Sequence, residues 1–145
     1  VFKGGIQVLC DYYNANPSSV EAGLELLASI SEKARSPRRI AILGDMLELG
    51  THEEEMHRAL ASKIAAAQVT DLFLYGPRMK SLLDEIRSTN PKISVHHFDS
   101  HEALAASAAP LIEPNISLLV KGSRGMKMEE VWKRIEPKLE AESKA

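Results

Sequence analysis

Residues 39–50 read Arg39-Ile40-Ala41-Ile42-Leu43-Gly44-Asp45-Met46-Leu47-Glu48-Leu49-Gly50, an apolar run that ends on a glycine and opens into a loop carrying two carboxylates. An uninterrupted run of this kind reads as a strand buried on both faces, as in a parallel sheet. The next segment changes period: Met56, Leu60, Ile64 and Ala67 form one helical stripe, and Thr51 with Glu54 makes a capping-box pattern before it. Working outward, the same alternation recurs. Strands are predicted at 6–10, 39–43, 71–75, 94–98 and 117–121. The helix after the first strand begins at a second capping-box pattern, Ser18 with Glu21, carries Val20, Leu24, Leu27 and Ile30, and stops at Ser36-Pro37. A third helix is predicted over 77–87 with Met79, Leu82, Leu83 and Ile86 inward, and a fourth over 100–108, ended by Pro110. The last runs from 128 to about 139 with Val131, Trp132 and Ile135, and the polar tail 140–145 is expected to fray. Alternating strands and helices predict an α/β fold in three αβα layers, one domain over residues 1–145.

Composition narrows the function classes. With 18 Lys+Arg against 20 Asp+Glu the formal charge is -2, and the charges are interspersed, which excludes the basic footprint of a nucleic-acid binder. The apolar runs fall far short of the roughly 20 residues needed to cross a bilayer, so no membrane insertion is expected. Hydrophobic residues make up 44% of the chain, which excludes disorder. The lone Cys10 excludes a disulfide scaffold, fits a reducing compartment and reads as a small buried hydrophobe. The chain opens on Val1 with no basic segment leading into an apolar one, and is expected to be a piece of a longer protein.

In a three-layer αβα domain, ligands gather beyond the carboxyl ends of the strands, near a reversal of strand order. Three loops there are polar. The first is Asp11-Tyr12-Tyr13-Asn14-Ala15-Asn16-Pro17, in which an acidic residue at a strand end can accept from a ribose hydroxyl pair and Tyr and Asn offer stacking and donors to a base. The same residues also suit a turn whose Asp and Asn side chains cap backbone groups. It holds no glycine, hence no phosphate cradle. The second loop holds Asp45 and Glu48, able to flank a substrate amine or a metal. His52 and His57 follow at a spacing of five, which does not place them on one helical face, and they read as helix-start or surface groups. Gly44 and Gly50 read as backbone devices. The third loop, Lys121-Gly122-Ser123-Arg124-Gly125, offers cations and a hydroxyl to a carboxylate or phosphate, or else is a solvated basic turn. His96, His97 and His101 read as strand-edge and helix-start residues. No catalytic residue and no metal ligand set follows from spacing alone.

The ordered set Asp11-Tyr12-Tyr13-Asn14-Ala15-Asn16-Pro17, Ile42 to Gly50 with His57 following, and Val120-Lys121-Gly122-Ser123-Arg124 resembles the C-terminal domain of the Mur ligases over essentially the whole chain. The resemblance implies a Rossmann-like sheet, and an N-terminal UDP-sugar domain and a central ATPase domain absent from this chain. It implies an ATP-dependent amide ligase of peptidoglycan synthesis in the cytoplasm, in which this domain closes over ATP, helps bind the incoming dipeptide and has its own central domain as partner. Asn14-Ala15-Asn16 is similar to the members that join D-alanyl-D-alanine to UDP-N-acetylmuramoyl-tripeptide, whereas the diaminopimelate- and lysine-adding members resemble Tyr-Ala-His there. By position in the motifs, Asp11, Tyr13, Asn14 and Asn16 would line the nucleotide side, and Asp45, Glu48, Lys121, Ser123 and Arg124 the substrate side. Mg2+ and a carbamylated lysine would belong mainly to the central domain, so the 145-residue piece is expected to be inactive alone. The alternatives are the same domain of another Mur-type amide ligase, or a free-standing, nonenzymatic nucleotide-binding or receiver-like module.

Overall fold

A computed structural model describes residues 5–144, with side chains up to 138; the opening of the chain, residues 1–4, lies outside the described residues. Five strands, β1 (Gln7–Asp11), β2 (Arg39–Gly44), β3 (Asp71–Tyr75), β4 (Ser94–Phe98) and β5 (Ser117–Lys121), form one parallel sheet in the order β1-β5-β2-β3-β4. The helices are α1 (Pro17–Ala34), α2 (Glu53–Ala66), α3 (Lys80–Thr89), α4 (His101–Ala108) and α5 (Glu129–Lys144).

Side-chain alternation sorts each central strand between two cores. Ala41, Leu43, Leu72, Leu74 and Leu119 face a cluster with Val20, Leu24 and Leu27 of α1, Leu60 and Ile64 of α2, and Leu82 and Ile86 of α3. Ile40, Ile42, Phe73, Leu118 and Val120 face the other side, with Leu104 and Ala108 of α4 and Val131 and Ile135 of α5. Each fully buried Leu, Ile or Phe contributes roughly 1.5–3 kcal/mol of transfer free energy. The distribution of helices follows from right-handed crossovers. The steps from β1 through β4 all move one way across the sheet and put α1, α2 and α3 on one face, while the return from β4 to β5 puts α4 on the other.

Four local expectations are corrected. Ser18 does not cap α1; Asn16 does, with its side-chain oxygen accepting from Ser19 N at 2.9 Å and Ser19 Oγ accepting from Asn16 N at 3.0 Å. Pro17, lacking an N–H and fixed near helical φ, takes the first helical position and pushes the cap onto the residue before it. Thr51 does not cap α2 either, because Gly50–His52 form a 3₁₀ turn that runs directly into the helix. The tail stays helical, α5 continuing to Lys144. Cys10 is exposed, because among the described residues β1 pairs only with β5 and lies at the sheet edge.

Candidate nucleotide and peptide site

β5 lies between β1 and β2, yet its following loop leads to α5 on the face opposite α1 and α2. The crevice expected at such a reversal therefore opens on both flanks of β5, between the loops after β1, β2 and β5. These are the three loops singled out by sequence.

Register sets their first contact. Lys121 ends β5 opposite Asp11 of β1 and Leu43 of β2. Its side chain, 3% exposed, passes over Gly23 of α1 and delivers Nζ to Asp11 Oδ2 at 2.7 Å and to the Asn14 carbonyl at 3.1 Å. Asp11 Oδ1 accepts from Tyr13 N at 3.2 Å, and the carboxylate remains 49% exposed. Partial burial works against its charge, but the bonds from Lys121 and the Tyr13 and Asn14 amides outweigh this and hold its carboxyl below the ordinary aspartate value. Tyr13 is 72% exposed and Asn14 is exposed beside it, while Asn16 is committed to capping α1.

Ser123 joins all three loops. Its hydroxyl donates to the Ala15 carbonyl at 3.2 Å and accepts from Leu47 N at 2.9 Å, and its own amide donates to the Asp45 carbonyl at 3.2 Å. Gly122 approaches Gly44 so closely that a Cβ on it would stand 3.3 Å from Gly44 Cα and 2.6 Å from Met128 Cγ, so the loop passes only because glycine occupies this point. Arg124 is exposed in the 3₁₀ turn Arg124–Met126, and Glu48 is exposed in a left-handed conformation with φ 61°.

Asp45 is fully buried and points away from the crevice. Its carboxylate accepts from Arg78 N at 3.1 Å and Met79 N at 3.0 Å, at the 3₁₀ turn Pro77–Met79 that leads into α3, and has Arg78 Nη1 at 3.5 Å. Burial raises its carboxyl above the ordinary value, with the Arg78 and Met79 amides and the Arg78 guanidinium opposing. Gly76, at φ 108°, packs against this carboxylate. His57 is also fully buried, not at the surface as its spacing implied: its Nε2 accepts from Met46 N and its Nδ1 lies against the Glu53 carbonyl. Its position in one stripe with Leu60 and Ile64 was the signal that could have placed it inward. Met79 is buried as the sequence implied, but residues 77–79 form a 3₁₀ turn and not the start of the helix, and the part played by the Arg78 and Met79 amides at Asp45 was missed because this turn has no motif of its own. His101 bonds the Met126 carbonyl at 2.7 Å and stacks on Tyr75 with ring centroids 4.2 Å apart, tying α4 to the same rim.

The arrangement offers one charged, solvent-facing acceptor at a strand end, an exposed Tyr-Asn pair beside it, and an exposed Glu48 and Arg124 on the neighbouring loops. It can bind and orient. Among the described residues no three His, Cys, Asp or Glu side chains converge on a metal position, and the buried Asp45 carboxylate is already engaged by its donors, so it is not free to hold a magnesium ion.

Residues 1–124 match the family described as Mur ligase, glutamate ligase domain. The chain belongs to the Mur ligase family. A UDP-N-acetylmuramoyl-tripeptide--D-alanyl-D-alanine ligase from Rickettsia prowazekii is 35% identical over 86% of the chain, and one from Treponema pallidum 31% over 98%. The matched region is 26% and 29% of those proteins' lengths, so the chain spans little more than a quarter of these relatives. The crystal structure of MurF ligase from Thermotoga maritima in complex with ADP superposes with a TM-score of 0.74 at 25% identity, covering 96% of the chain and 30% of that protein. This Mur ligase domain has strand order 1-5-2-3-4, which differs from the 2-1-3-4-5 order of receiver modules and removes the receiver-like reading alone. No helix among its described residues is long and apolar enough to cross a membrane.

Proposed function

We propose that the chain is the C-terminal domain of a longer cytoplasmic, ATP-dependent ligase that joins D-alanyl-D-alanine to UDP-N-acetylmuramoyl-tripeptide. In this reaction the γ-phosphoryl group of ATP passes to the peptide carboxylate, giving an acyl phosphate and ADP. The dipeptide amine then attacks the acyl carbon, phosphate leaves, the amine loses a proton and the amide forms. The names of the relatives and the ADP-bound neighbour support this reading.

The observation that carries it is the Asp11–Lys121 pair at the reversal point. A half-exposed carboxylate held ionised and oriented by a buried ammonium is suited to accept from a ribose diol. Tyr13 and Asn14 then flank the nucleotide, and Asn16 fixes the helix start beneath them. On the other flank, Arg124 pairs with a substrate carboxylate and Glu48 faces the amine, while Asp45, Lys121 and Ser123 hold those loops in register. The contribution is orientation and charge matching across a cleft whose other wall belongs to the rest of the protein. Mg2+ accompanies ATP there, on groups outside this chain.

The test uses the full-length protein: ADP release dependent on both UDP-tripeptide and D-alanyl-D-alanine, with wild type against Asp11→Ala. A rise in the apparent KM for ATP of about tenfold is expected, the scale of one lost charge-assisted pair of hydrogen bonds. ADP release indifferent to the dipeptide would refute the assignment. The isolated domain is expected to turn over nothing.

A further inference from the structure

Three successive amides of the loop after β2 are captured by three different elements: Asp45 N by the Tyr75 carbonyl at 3.1 Å, Met46 N by His57 Nε2 at 3.0 Å, and Leu47 N by Ser123 Oγ at 2.9 Å. The first holds the loop to β3 and the third to the loop after β5. Only the middle one ties it to its own helix, α2. The chemistry of the two partners fixes the state of the ring. A carbonyl oxygen can only accept, so Nδ1, 2.7 Å from the Glu53 carbonyl, carries the proton. A backbone N–H can only donate, so Nε2 must present a lone pair to Met46. Both conditions hold only for the neutral Nδ1–H tautomer, and the ring is fully buried, with no solvent partner to substitute for either.

We propose that His57, as this neutral tautomer, is a positioning residue for the substrate side of the crevice, acting through Met46. Met46 is fully buried, and its N–H shares one planar peptide unit with the Asp45 carbonyl that receives Ser123 N and lies one residue from the Leu47 amide that meets Ser123 Oγ. Releasing it frees the segment that sets Glu48 in its left-handed turn and that spaces Ser123 and Arg124 from Asp45. The kinetic consequence rests on the ligase reading; the tautomer and the Met46 bond do not.

Two substitutions separate the ring's two contacts. In His57→Gln the side-chain oxygen reaches the position of Nε2 and can accept from Met46, whereas the shorter His57→Asn reaches only the position of Nδ1. On the 145-residue chain, long-range ¹H–¹⁵N correlation of His57 is expected to show a protonated Nδ1 and an unprotonated Nε2. Slow exchange of the Met46 amide is expected to persist in His57→Gln and be lost in His57→Asn. In the full-length ligase, His57→Asn is expected to lower kcat/KM for the dipeptide about tenfold, mostly through KM, and His57→Gln to stay within about twofold of wild type, since small misplacements near a reacting centre carry costs of this order. A protonated Nε2, or Gln and Asn variants with the same Met46 exchange and the same KM at matched Tm, would overturn the proposal. If the wild-type full-length protein does not use the dipeptide, the ligase reading fails while the tautomer and exchange results still decide the positioning of the loop.

Discussion

The Asp11–Lys121 pair is asymmetric, and that asymmetry has a measurable sign. Lys121 is 3% exposed and Asp11 49% exposed, so truncating one is not equivalent to truncating the other. At 2.7 Å the gross attraction is about 6 kcal/mol with an effective dielectric of about 20, before desolvation is subtracted. Asp11→Ala leaves a buried ammonium with the Asn14 carbonyl as its remaining acceptor, the circumstance in which breaking a buried pair costs about 3 kcal/mol. Lys121→Met removes the buried charge and fills the same channel over Gly23 with an unbranched side chain, while Asp11 rehydrates; about 1 kcal/mol is expected. The difference of about 2 kcal/mol is roughly a 30-fold ratio in unfolding constants. For a chain of this length, Asp11→Ala should lower Tm by about 9 °C and Lys121→Met by about 3 °C. Urea denaturation of the 145-residue chain measures both, and the double variant should be more stable than Asp11→Ala alone. Equal losses, or a larger loss for Lys121→Met, would refute the claim that Lys121 is the buried partner whose charge needs satisfying.

Gly76→Ala should cost more than about 2 kcal/mol, because φ is 108° and the new Cβ would stand 2.5 Å from Asp45 Cγ; a denaturation midpoint within error of wild type would contradict this packing. Ser123→Ala should cost about 1–3 kcal/mol by orphaning Leu47 N and the Ala15 carbonyl, and should speed exchange of the Leu47 amide. The pH dependence of stability has two opposed terms. Asp11, lowered in the fold, stabilises above the unfolded carboxyl range near about pH 4 and loses this as pH falls through its folded value; Asp45, raised in the fold, is held ionised at a cost near neutrality that is relieved as pH falls through its folded value. Asp11→Ala should therefore flatten the acid limb of midpoint against pH, and an unchanged limb would remove the lowered carboxyl as its source. Cys10 lies open along the strand edge, yet apolar surroundings, with Glu136 adding to them, push its thiol up to about 12, so alkylation at pH 8 should run about a thousandfold slower than for a free cysteine. A rate near that of free cysteine would show that the thiol itself, and not only the residue, is solvated.

The sheet was legible because its central strands are dense in buried apolar residues, and the helices because one stripe in each faces a core. Long-range pairing was not. Whether Cys10 lies inside or at an edge depends on β5 pairing on the β2 side of β1 and leaving its outer side open, and no local pattern near Cys10 records that choice. The caps misled for a local reason: Asn16 and Ser18 both offer a capping oxygen two residues apart, and Pro17 decides between them through its missing N–H. At the site, the loops were legible from their position after strands, but the direction of each side chain was not. Asp45 and Lys121 both stand in polar motifs, and both are buried, because their partners, Met79 N and Asp11, lie 34 and 110 residues away.

That inward turning divides the rim into two classes with different expected behaviour. Asp45, His57, Lys121 and Ser123 spend polar atoms on other loops, and Asn16 on the first turn of its own helix, so each change should alter unfolding free energy and, through loop position, every kinetic constant together. Tyr13, Asn14, Glu48 and Arg124 are exposed, so their truncation should leave Tm nearly unchanged and act on one substrate at a time. Asp11 belongs to both classes, since one side of its carboxylate anchors Lys121 while half its surface faces the crevice. On the proposed ligase reading, a rim built this way meets the rest of the protein already ordered, so that closing a cleft there costs the entropy of moving one body and not that of fixing three loops. Loosening Ser123 or His57 adds the ordering of loops back to that step, and should weaken binding of whatever the closed cleft holds even where no contact to it has been removed.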